Sequence, residues 1–586
     1  MTAHEVLKTY YGFDHFRPLQ EEIIQSVLEG RDTLALLPTG GGKSICFQVP
    51  TLVMTQKEVE YRLDELGLCL VITPLIALMK DQVENLKRRN ILAASLHSGM
   101  SMQEQSTIFD NCQYGPYRFL YISPERLGST TFRERLTKLP IKLIAVDEAH
   151  CISQWGYDFR PSYLGIGEVR KELEERLQTV IPILALTATA TPEVVEDIQQ
   201  QLGFKQTNVL RKSFERPNLH YIVRNTDQKE QQLLHILSKV KGSAIVYVRN
   251  RKKTFQISEY INQCLAHEAN YTLMADFYHA GLSSAERAHK QDEWKKGNTR
   301  IIVCTNAFGM GIDKPDVRIV IHYDLPDSIE AYFQEAGRAG RDEKTSYAVL
   351  LYNAEDKKNV MKRVSNTYPS KEIIENVYHK TCDFFVVGAG SGLGHSFILH
   401  IDELCQRMHL PILQTYSSFS LLKQAGYIDF QEEQEIQARV QIRISPHEMS
   451  SYSFTREQEE LLNRLMRKYT GIFTDLQYLY EDWTVNEEKR NHELLVSLAK
   501  RGVITYIPHT TACTFTLTKE RQVDIYIPSH IYEKRAEHFK TQLHAMVEYA
   551  EQTQFCRSQV LLSYFGEINA PICGGCDVCI HQKQIH

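Results

Sequence analysis

The chain has 586 residues with 43% hydrophobic and 24% charged residues, and its formal net charge is −5. This length exceeds what one hydrophobic core supports, so we expect roughly three or four domains. No run of about 18 apolar residues occurs, which excludes a membrane-spanning helix, and the N-terminal residues lack a secretory apolar stretch, so we expect a cytoplasmic protein. The acidic balance does not exclude nucleic-acid binding, because only a contact face must be basic.

The first 207 residues alternate short apolar runs with helical patterns. Continuous apolar runs are typical of strands that are covered on both faces of a parallel sheet. We therefore predict a doubly wound α/β lobe over residues 1–207. The predicted strands are residues 33–37, 69–73, 119–122, 143–146 and 183–187.

A glycine-rich segment follows the first predicted strand and precedes a helical pattern. It comprises Pro38, Thr39, Gly40, Gly41, Gly42, Lys43 and Ser44. Glycines let backbone N–H groups surround a phosphate at a helix N-terminus. Lys43 would reach the β- and γ-phosphates of ATP, and the Ser44 hydroxyl would bind Mg²⁺. Leu37 stands where the strict phosphate-loop pattern has its first glycine, so a plain flexible turn is the alternative.

An acidic pair ends the predicted strand at residues 143–146. Carboxyl ends of parallel strands are where nucleotide sites form, so this pair belongs beside the phosphate loop. Asp147 would hold Mg²⁺, and Glu148 would orient and deprotonate the attacking water. Together with Lys43, the pair predicts nucleotide hydrolysis.

The pattern of strands and helices repeats over residues 208–352, which predicts a second α/β lobe. Its predicted strands are residues 244–248, 301–304, 319–322 and 347–351, and the lobe boundary falls near residues 211–218. Within it, Gln334 is a candidate ATP-binding residue, and Arg338 and Arg341 follow it on what we predict to be one helix face. We expect these arginines to stabilise the charge of the transferring phosphoryl group across a cleft; a solvated surface helix is the alternative.

After about residue 353 the alternation stops, and two stretches show the outline of a winged helix. Each has a helical segment, a glycine stop, a strand, a polar turn and a second strand. In the first, the predicted strands are residues 427–430 and 438–444; in the second, they are residues 503–507 and 513–517. We assign the units to residues 353–450 and 451–533; an ordinary α+β domain without nucleic-acid contact is the alternative.

Residues 534–586 contain a helical segment and then a cluster of four of the thirteen cysteines. The four are Cys556, Cys573, Cys576 and Cys579. Tetrahedral zinc accepts four thiolates, and C-x₂-C turns present two of them on one side. An iron–sulfur run is the alternative, but Lys583 stands where its fourth cysteine would fall. We predict a structural Zn²⁺ module.

Taken together, these motifs resemble superfamily 2 helicases and, within them, the RecQ family. The resemblance is dense over residues 5–352. It extends to residues 73–82, 123–127, 187–190 and 305–314, which are similar to the family's DNA-backbone, coupling and second-lobe motifs. The resemblance implies two tandem RecA-like lobes. It also implies that Gln20 reads the adenine edge while Phe13 and Arg17 flank the ring, and that Gly311 and Asp313 line the nucleotide cleft.

The most specific resemblance is residues 151–161, which are similar to the aromatic-rich loop of RecQ proteins. Trp155, Tyr157 and Phe159 offer ring faces on which bases can stack, and Arg160 adds a cation. Packing of these aromatics between the lobes is the alternative. The chain departs from the family because about 200 residues separate the second lobe from the cysteines, so we do not carry over a strand-separating hairpin.

The resemblance implies an ATP-dependent DNA helicase that moves 3′-to-5′ on single-stranded DNA and unwinds duplex DNA in repair or recombination. An RNA helicase and an ATP-dependent DNA-binding switch are the alternatives. We expect ATP, Mg²⁺ and Zn²⁺ as ligands, and single-stranded and duplex DNA as partners. We also expect a monomer, contacts with single-strand-binding or repair proteins, and nucleoid association if the source is bacterial.

Overall fold

The computed structural model describes residues 1–38, 40–55, 67–97, 100–156, 158–265, 273–309, 314–436, 438–444, 448–468, 477–479, 485–507 and 510–585. The chain forms two compact units. One contains Met1–Val360 together with Glu537–His586, and the other contains Met361–Ala536. Among the described residues, no helix has both the length and the apolar composition that a membrane crossing requires.

The first lobe is built on a seven-stranded parallel sheet with the order β3-β4-β2-β5-β6-β1-β7. Its strands are β1 (Thr33–Leu36), β2 (Leu68–Ile72), β3 (Ala93–Leu96), β4 (Phe119–Ile122), β5 (Ile141–Val146), β6 (Ile183–Thr187) and β7 (Val209–Arg211). Its helices are α1 (Ala3–Val6), α2 (Gln20–Leu28), α3 (Ile45–Met54), α4 (Ile76–Lys87), α5 (Met102–Tyr114), α6 (Thr130–Leu136), α7 (Gly165–Leu177) and α8 (Pro192–Gln201).

The middle of this sheet positions the candidate site. Strands β1, β2, β5 and β6 are buried along their length apart from Lys142, which explains their continuous apolar sequences. Because the strands are parallel, the segments that follow β2, β5, β6 and β1 all leave the same sheet edge. The phosphate loop follows β1 and the acidic pair follows β5. These two strands lie on either side of β6 in the sheet.

The second lobe has a six-stranded parallel sheet with the order β10-β11-β9-β12-β13-β8. Its strands are β8 (Leu219–Asn225), β9 (Ser243–Tyr247), β10 (Leu273–Tyr278), β11 (Thr299–Cys304), β12 (Val317–His322) and β13 (Ser346–Tyr352). Its helices are α9 (Lys229–Lys239), α10 (Arg251–Leu265), α11 (Ser284–Lys296), α12 (Ile329–Ala336) and α13 (Ala354–Lys358). Residues 212–218, which we call the connector, join β7 of the first sheet to β8 of the second.

The second unit contains two small sheets and six α-helices among its described residues. In chain order the elements are α14 (Val360–Thr367), α15 (Lys371–Phe384), β14 (Ser396–Leu399), α16 (Ile401–Met408), α17 (Ile412–Gln424), β15 (Ile428–Ile436), β16 (Arg439–Ile442), α18 (Arg456–Lys468), β17 (Gln477–Tyr478), α19 (Val485–Lys500), β18 (Ile504–Ile507) and β19 (Thr510–Leu517). The sheets have the orders β14-β19-β15 and β17-β16-β18.

Strand pairing in this unit differs from the two consecutive hairpins that the sequence predicts. β15 pairs antiparallel with β19, where Phe430 lies opposite Phe515, and β16 pairs with β18, where Ile442 lies opposite Ile504. The segment from β16 to β18 is therefore inserted between the two paired strands β15 and β19 of the first small sheet. Each fold has its own core, one around Phe419 and Phe515 and the other around Leu462 and Leu498.

The C-terminal segment returns to the first unit with three helices, α20 (Glu533–Glu551), α21 (Arg557–Tyr564) and α22 (Asp577–Ile585). The four clustered cysteines lie around the ends of α21 and α22. In sequence this segment is remote from the lobes, but it packs on them through Phe565, which is fully buried against Phe214 and Phe333.

Candidate active site

The phosphate loop turns between β1 and α3 with two glycines in the left-handed region. Gly40 has φ +81° and Gly42 has φ +76°, which glycine adopts without steric cost. Lys43 is largely buried, and its Nζ lies 3.5 Å from Oε1 of Glu148. Ser44 beside it is the N-cap of α3, while Thr39 lies outside the described residues. The loop thus brings Lys43 to the acidic pair that follows β5.

The two carboxyl groups of the acidic pair are buried, and their pKa values are shifted in opposite directions. Burial and the neighbouring Glu148 carboxylate raise the pKa of Asp147 to about 6. Burial also opposes ionisation of Glu148, but the charge and the hydrogen bond of Lys43 outweigh it and hold the pKa of Glu148 below its usual value. Glu148 therefore carries its negative charge at neutral pH. Its φ of +48° is a strained conformation of the kind that clusters at functional sites.

Three side chains that the sequence analysis did not single out support this pair. Thr73 Oγ1 donates to Asp147 Oδ2 at 3.5 Å, and the Tyr163 hydroxyl donates to the Asp147 carbonyl at 3.0 Å. His150 is fully buried, with Nδ1 2.9 Å from Oγ1 of Thr187 and 3.4 Å from Oε2 of Glu148. Burial lowers the pKa of His150, which favours the neutral imidazole. Thr73 and Thr187 stand inside the motifs at residues 73–82 and 187–190, which was the available signal for them.

The adenine-recognition candidates lie at the phosphate loop. The Gln20 amide donates to the carbonyls of Gly41 at 3.2 Å and Gly42 at 3.1 Å, and it accepts from the Arg17 backbone at 2.9 Å. The Arg17 guanidinium donates to the Gly40 carbonyl at 2.5 Å. Phe13 is 55% exposed. Gln20 is therefore bonded to the loop itself, and its use on an adenine edge requires those bonds to rearrange.

The two arginines come from the second lobe. α12 ends at Ala336, and Arg338 and Arg341 lie in the following turn, residues 337–341, which we call the arginine turn. The prediction of one shared helix face was wrong, because Gly340 adopts φ +62° and its N–H donates to the Val317 carbonyl instead of continuing the helix.

Both arginines face the first-lobe residues. Arg338 is buried and donates to the Gly309 carbonyl, and its charge helps to lower the pKa of Glu148 after the larger effect of Lys43. The side chain of Arg341 lies against Gly40, so close that a Cβ there would be 3.6 Å from Arg341 Cγ. The arginine turn therefore spans from Gly309 to the phosphate loop.

These residues enclose one cavity of about 540 Å³ between the lobes. Most of the predicted nucleotide residues line it; they are Phe13, Arg17, Gln20, Gly40, Gly42, Lys43, Ser44, Asp147, Glu148, Gln334, Arg338 and Arg341. Gly311 and Asp313 lie outside the described residues. His15, Asp81, Gln82 and Pro315 also line the cavity and were not predicted.

The aromatic loop lies directly after the acidic pair. Trp155 is half-buried and meets His538 of α20 edge-on, with ring centroids 5.8 Å apart. Arg160 pairs with Asp158 at 3.1 Å and donates to the Pro74 carbonyl at 3.4 Å. Phe159 is half-buried, and Tyr157 lies outside the described residues. Stacking of nucleic-acid bases on Trp155 and Phe159 therefore stays a prediction.

The four predicted cysteines converge on one point. Their sulfur atoms all lie within 4.8 Å of one another. Backbone N–H groups point at two of these sulfurs, from Cys573 to Cys556 at 3.3 Å and from Arg557 to Cys576 at 3.4 Å, as a thiolate cluster requires. Four thiolates and no further ligand fit a structural zinc ion, so the donor set fits the predicted Zn²⁺.

The neighbours of this cluster are ordered by a buried ion pair. The Arg557 guanidinium lies 3.0 Å from Asp577 and donates to the Tyr549 carbonyl. Arg557 thereby joins the first residue of α21 to the first residue of α22 and to α20. All three helices of the C-terminal segment meet at this side chain.

Comparisons with known proteins agree with this geometry. Residues 17–198 match the family described as DEAD/DEAH box helicase, and residues 228–343 match the helicase conserved C-terminal domain. The chain is 42% identical over 351 residues to the probable ATP-dependent DNA helicase RecS of Bacillus subtilis, covering 59% of this chain and 66% of that protein. It is 40% identical over 356 residues to the ATP-dependent DNA helicase RecQ of Synechocystis, covering 60% of this chain and 70% of that protein.

The chain belongs to the RecQ family. Residues 520–580 match the family described as RecQ zinc-binding and include all four clustered cysteines. The crystal structure of the DUF1998 helicase MrfA bound to DNA is similar in fold, with a TM-score of 0.52, 20% identity, and coverage of 62% of this chain and 50% of that one. The predicted RecQ resemblance and the two parallel-sheet lobes are thus confirmed. The chain spans about half to two thirds of the length of the first RecQ relatives that it matches.

Proposed function

We propose that this chain is an ATP-dependent DNA helicase that moves 3′-to-5′ along single-stranded DNA and unwinds duplex DNA in repair or recombination. The observation that carries the proposal is the shared cavity. Lys43 and Glu148 enter it from the first lobe, and Arg338 and Arg341 enter it from the second. A site completed by two lobes hydrolyses ATP only when the lobes close, and that dependence couples hydrolysis to movement.

Each residue has a role that follows from its position. Lys43 binds the terminal phosphates of ATP, and the ionised Glu148 takes the proton of the attacking water. Arg341, whose side chain lies against the phosphate loop, stabilises the negative charge that develops on the transferring phosphoryl group. Ser44 and Asp147 are the residues that would hold Mg²⁺, which neutralises phosphate charge when bound.

DNA recognition is assigned to the aromatic loop. Trp155 and Phe159 would stack on bases, while the positively charged Arg160 would pair with a phosphate of the DNA backbone. The Pro74 carbonyl, which accepts from Arg160, belongs to the predicted DNA-backbone motif at residues 73–82. Tyr163 lies three residues after Arg160 and donates to the Asp147 carbonyl. A base that shifts this loop would therefore shift the acidic pair.

ATPase and strand-displacement assays test the proposal together. We expect single-stranded DNA to stimulate ATP hydrolysis more than RNA or blunt duplex, and we expect displacement of a labelled strand from a 3′-tailed substrate. A 5′-tailed substrate of the same sequence is the matched control for direction. Stronger stimulation by RNA would make the chain an RNA helicase, and DNA-stimulated hydrolysis without displacement on either tail would make it an ATP-dependent DNA-binding switch.

A further inference from the structure

Four consecutive residues of the C-terminal segment bind the part of the chain that joins the two lobes. They are residues 564–567, which comprise the last residue of α21 and the three residues after it, and we call them the clasp. Glu567 accepts two hydrogen bonds from the connector, one from the Ser213 hydroxyl at 2.7 Å and one from the Phe214 N–H at 2.7 Å. The Arg211 guanidinium donates to the Phe565 carbonyl at 3.0 Å. The clasp thus fixes the connector at its start.

The clasp also binds α12, the helix that leads into the arginine turn. The Tyr564 hydroxyl donates to Glu330 Oε1 at 2.8 Å, and Glu330 is only 4% exposed. Phe565 packs at 4.9 Å from Phe333 and at 5.6 Å from Phe214, measured between ring centroids. Phe214 and Phe333 are themselves 6.1 Å apart. One three-ring cluster therefore joins the clasp, the connector and α12.

The connector in turn holds the arginine turn. The Arg216 guanidinium donates to the carbonyls of Ala339 at 2.9 Å and Gly340 at 2.8 Å. The Asn218 amide donates to the same Gly340 carbonyl at 2.7 Å. Arg338 and Arg341 belong to this turn and reach the ATP cavity from it. The contacts form an unbroken series from Glu567 through the connector to the two arginines.

We infer that the clasp is a positioning element for ATP hydrolysis, which sets Arg338 and Arg341 against the phosphate loop through the connector and α12. Glu567 and Tyr564 are not among the residues that line the cavity, so they act through other residues. The inference rests on the proposed function, because it assumes that the cavity hydrolyses ATP. It gives the cysteine-bearing segment a role in turnover in addition to its own stability.

The first test removes the carboxylate with Glu567→Ala in the full chain. We expect kcat for DNA-stimulated ATP hydrolysis to fall roughly 10- to 100-fold, since small displacements of reacting groups have effects of this size, while KM stays about unchanged. Glu548→Ala, an exposed glutamate of α20, is the matched control and should keep the wild-type kcat. Zinc content equal to the wild type would exclude loss of the metal as the cause.

Hydrogen exchange gives a readout that does not depend on activity. Without nucleotide, Glu567→Ala should accelerate exchange in peptides covering residues 212–218 and 337–341, and leave peptides from the β2–β4 region unchanged. Ser213→Ala, which removes one of the two bonds from the connector side, should act in the same direction, and the double variant should be no worse than Glu567→Ala alone. If Glu567→Ala does not fold, kcat and hydrogen exchange are measured on Ser213→Ala and Tyr564→Phe instead.

The outcomes separate this inference from the proposed function. A wild-type chain without nucleic-acid-stimulated hydrolysis would refute the proposed function, and the exchange measurement would still decide whether the clasp orders the arginine turn. An active wild type with unchanged kcat in the clasp variants, or unchanged exchange at residues 337–341, would overturn the inference. A rise in KM with constant kcat would also overturn it, because that pattern is expected from lost ATP binding.

Discussion

Glu148 has the charge and the surroundings of a general base. Lys43 lies 3.5 Å from it and helps to keep its pKa low, so the carboxylate is ionised at neutral pH and can accept a proton from water. Glu148→Gln keeps the size and the hydrogen-bonding oxygen but cannot take that proton. We expect kcat to fall by about 10²–10⁴-fold with ATP and DNA binding retained.

Binding of a fluorescent ATP analogue and of labelled single-stranded DNA would measure what Glu148→Gln retains. Lys43→Ala should instead weaken nucleotide binding and turnover together. Glu175→Gln, at an exposed glutamate of α7, is the control of the same chemistry. Near-normal turnover in both site variants would contradict the assignment of this cavity to ATP hydrolysis.

Arg341 and Arg338 should differ in how they affect turnover. Arg341 lies on Gly40 of the phosphate loop, so Arg341→Ala should lower kcat by about 10³–10⁵-fold with little change in ATP affinity. Arg338 is bonded to the Gly309 carbonyl, so Arg338→Ala should lower kcat and also loosen the residues after β11. Arg456→Ala, at a side chain that is 91% exposed, controls for loss of one positive charge. Normal hydrolysis in both site variants would leave the arginine turn with only a supporting role.

At the scale of elements, the aromatic loop is expected to connect DNA binding to the acidic pair. Replacing Trp155 and Phe159 together with alanine should leave basal hydrolysis intact and abolish its stimulation by single-stranded DNA, since each stacked base contributes about 1–3 kcal/mol. The measurement is ATPase rate against DNA concentration. Tyr114→Ala, at an exposed aromatic of the same lobe, is the control. If single-stranded DNA still stimulates hydrolysis fully, Trp155 and Phe159 only pack against the protein and do not contact DNA bases.

The cysteine cluster should hold about one zinc ion per chain. Structural zinc supplies roughly 10–16 kcal/mol of apparent binding energy in small peptides, and Cys573→Ser or Cys576→Ser would remove that contribution from α21 and α22. We expect less soluble protein and no bound zinc by elemental analysis. Cys264→Ser, at an exposed cysteine of α10, should behave as wild type. Stoichiometric iron with visible absorbance would identify an iron–sulfur cluster instead.

How far the sequence predicts these elements depends on burial. β1 and β5 are buried on both faces, so continuous apolar runs identify them. β8 and β10 were not predicted, because alternate residues of β8 are only half-buried and Asp276 interrupts β10. The convergence of the four cysteines followed from their spacing. The clasp could not be predicted, since Glu567 is an ordinary glutamate whose partners, Ser213 and Phe214, are more than 350 residues away.

On the scale of the whole molecule, the second unit should fold by itself. It buries two cores of its own, and a fragment of residues 361–536 keeps every strand of both small sheets. We expect this fragment to be soluble and to unfold cooperatively when heated, as followed by circular dichroism. A fragment of residues 353–450 is the control. It ends before β19, the central strand of its sheet, and we expect it to aggregate; a well-folded 353–450 would contradict the strand pairing described here.

The sequence-based division of this region into consecutive units shows the limit of local patterns. The stretches ending in β15–β16 and β18–β19 look alike, because helix, glycine, strand, turn and strand recur in each. Local sequence does not encode which strand pairs with which. Phe430 and Phe515 lie 85 positions apart and face each other in one sheet, whereas β15 and β16 are neighbours in sequence and belong to different sheets.

This insertion also imposes an order of folding during synthesis. β15 leaves the ribosome long before β19, and at about 5–20 residues per second its partner arrives only after several seconds. Until then β15 has an open edge that can pair with other chains. Early folding of the inserted segment would bring its two ends together and shorten the loop that β15 and β19 must close. We therefore expect mutations that destabilise the core around Leu462 to be seen first as misfolding of the sheet that contains Phe515.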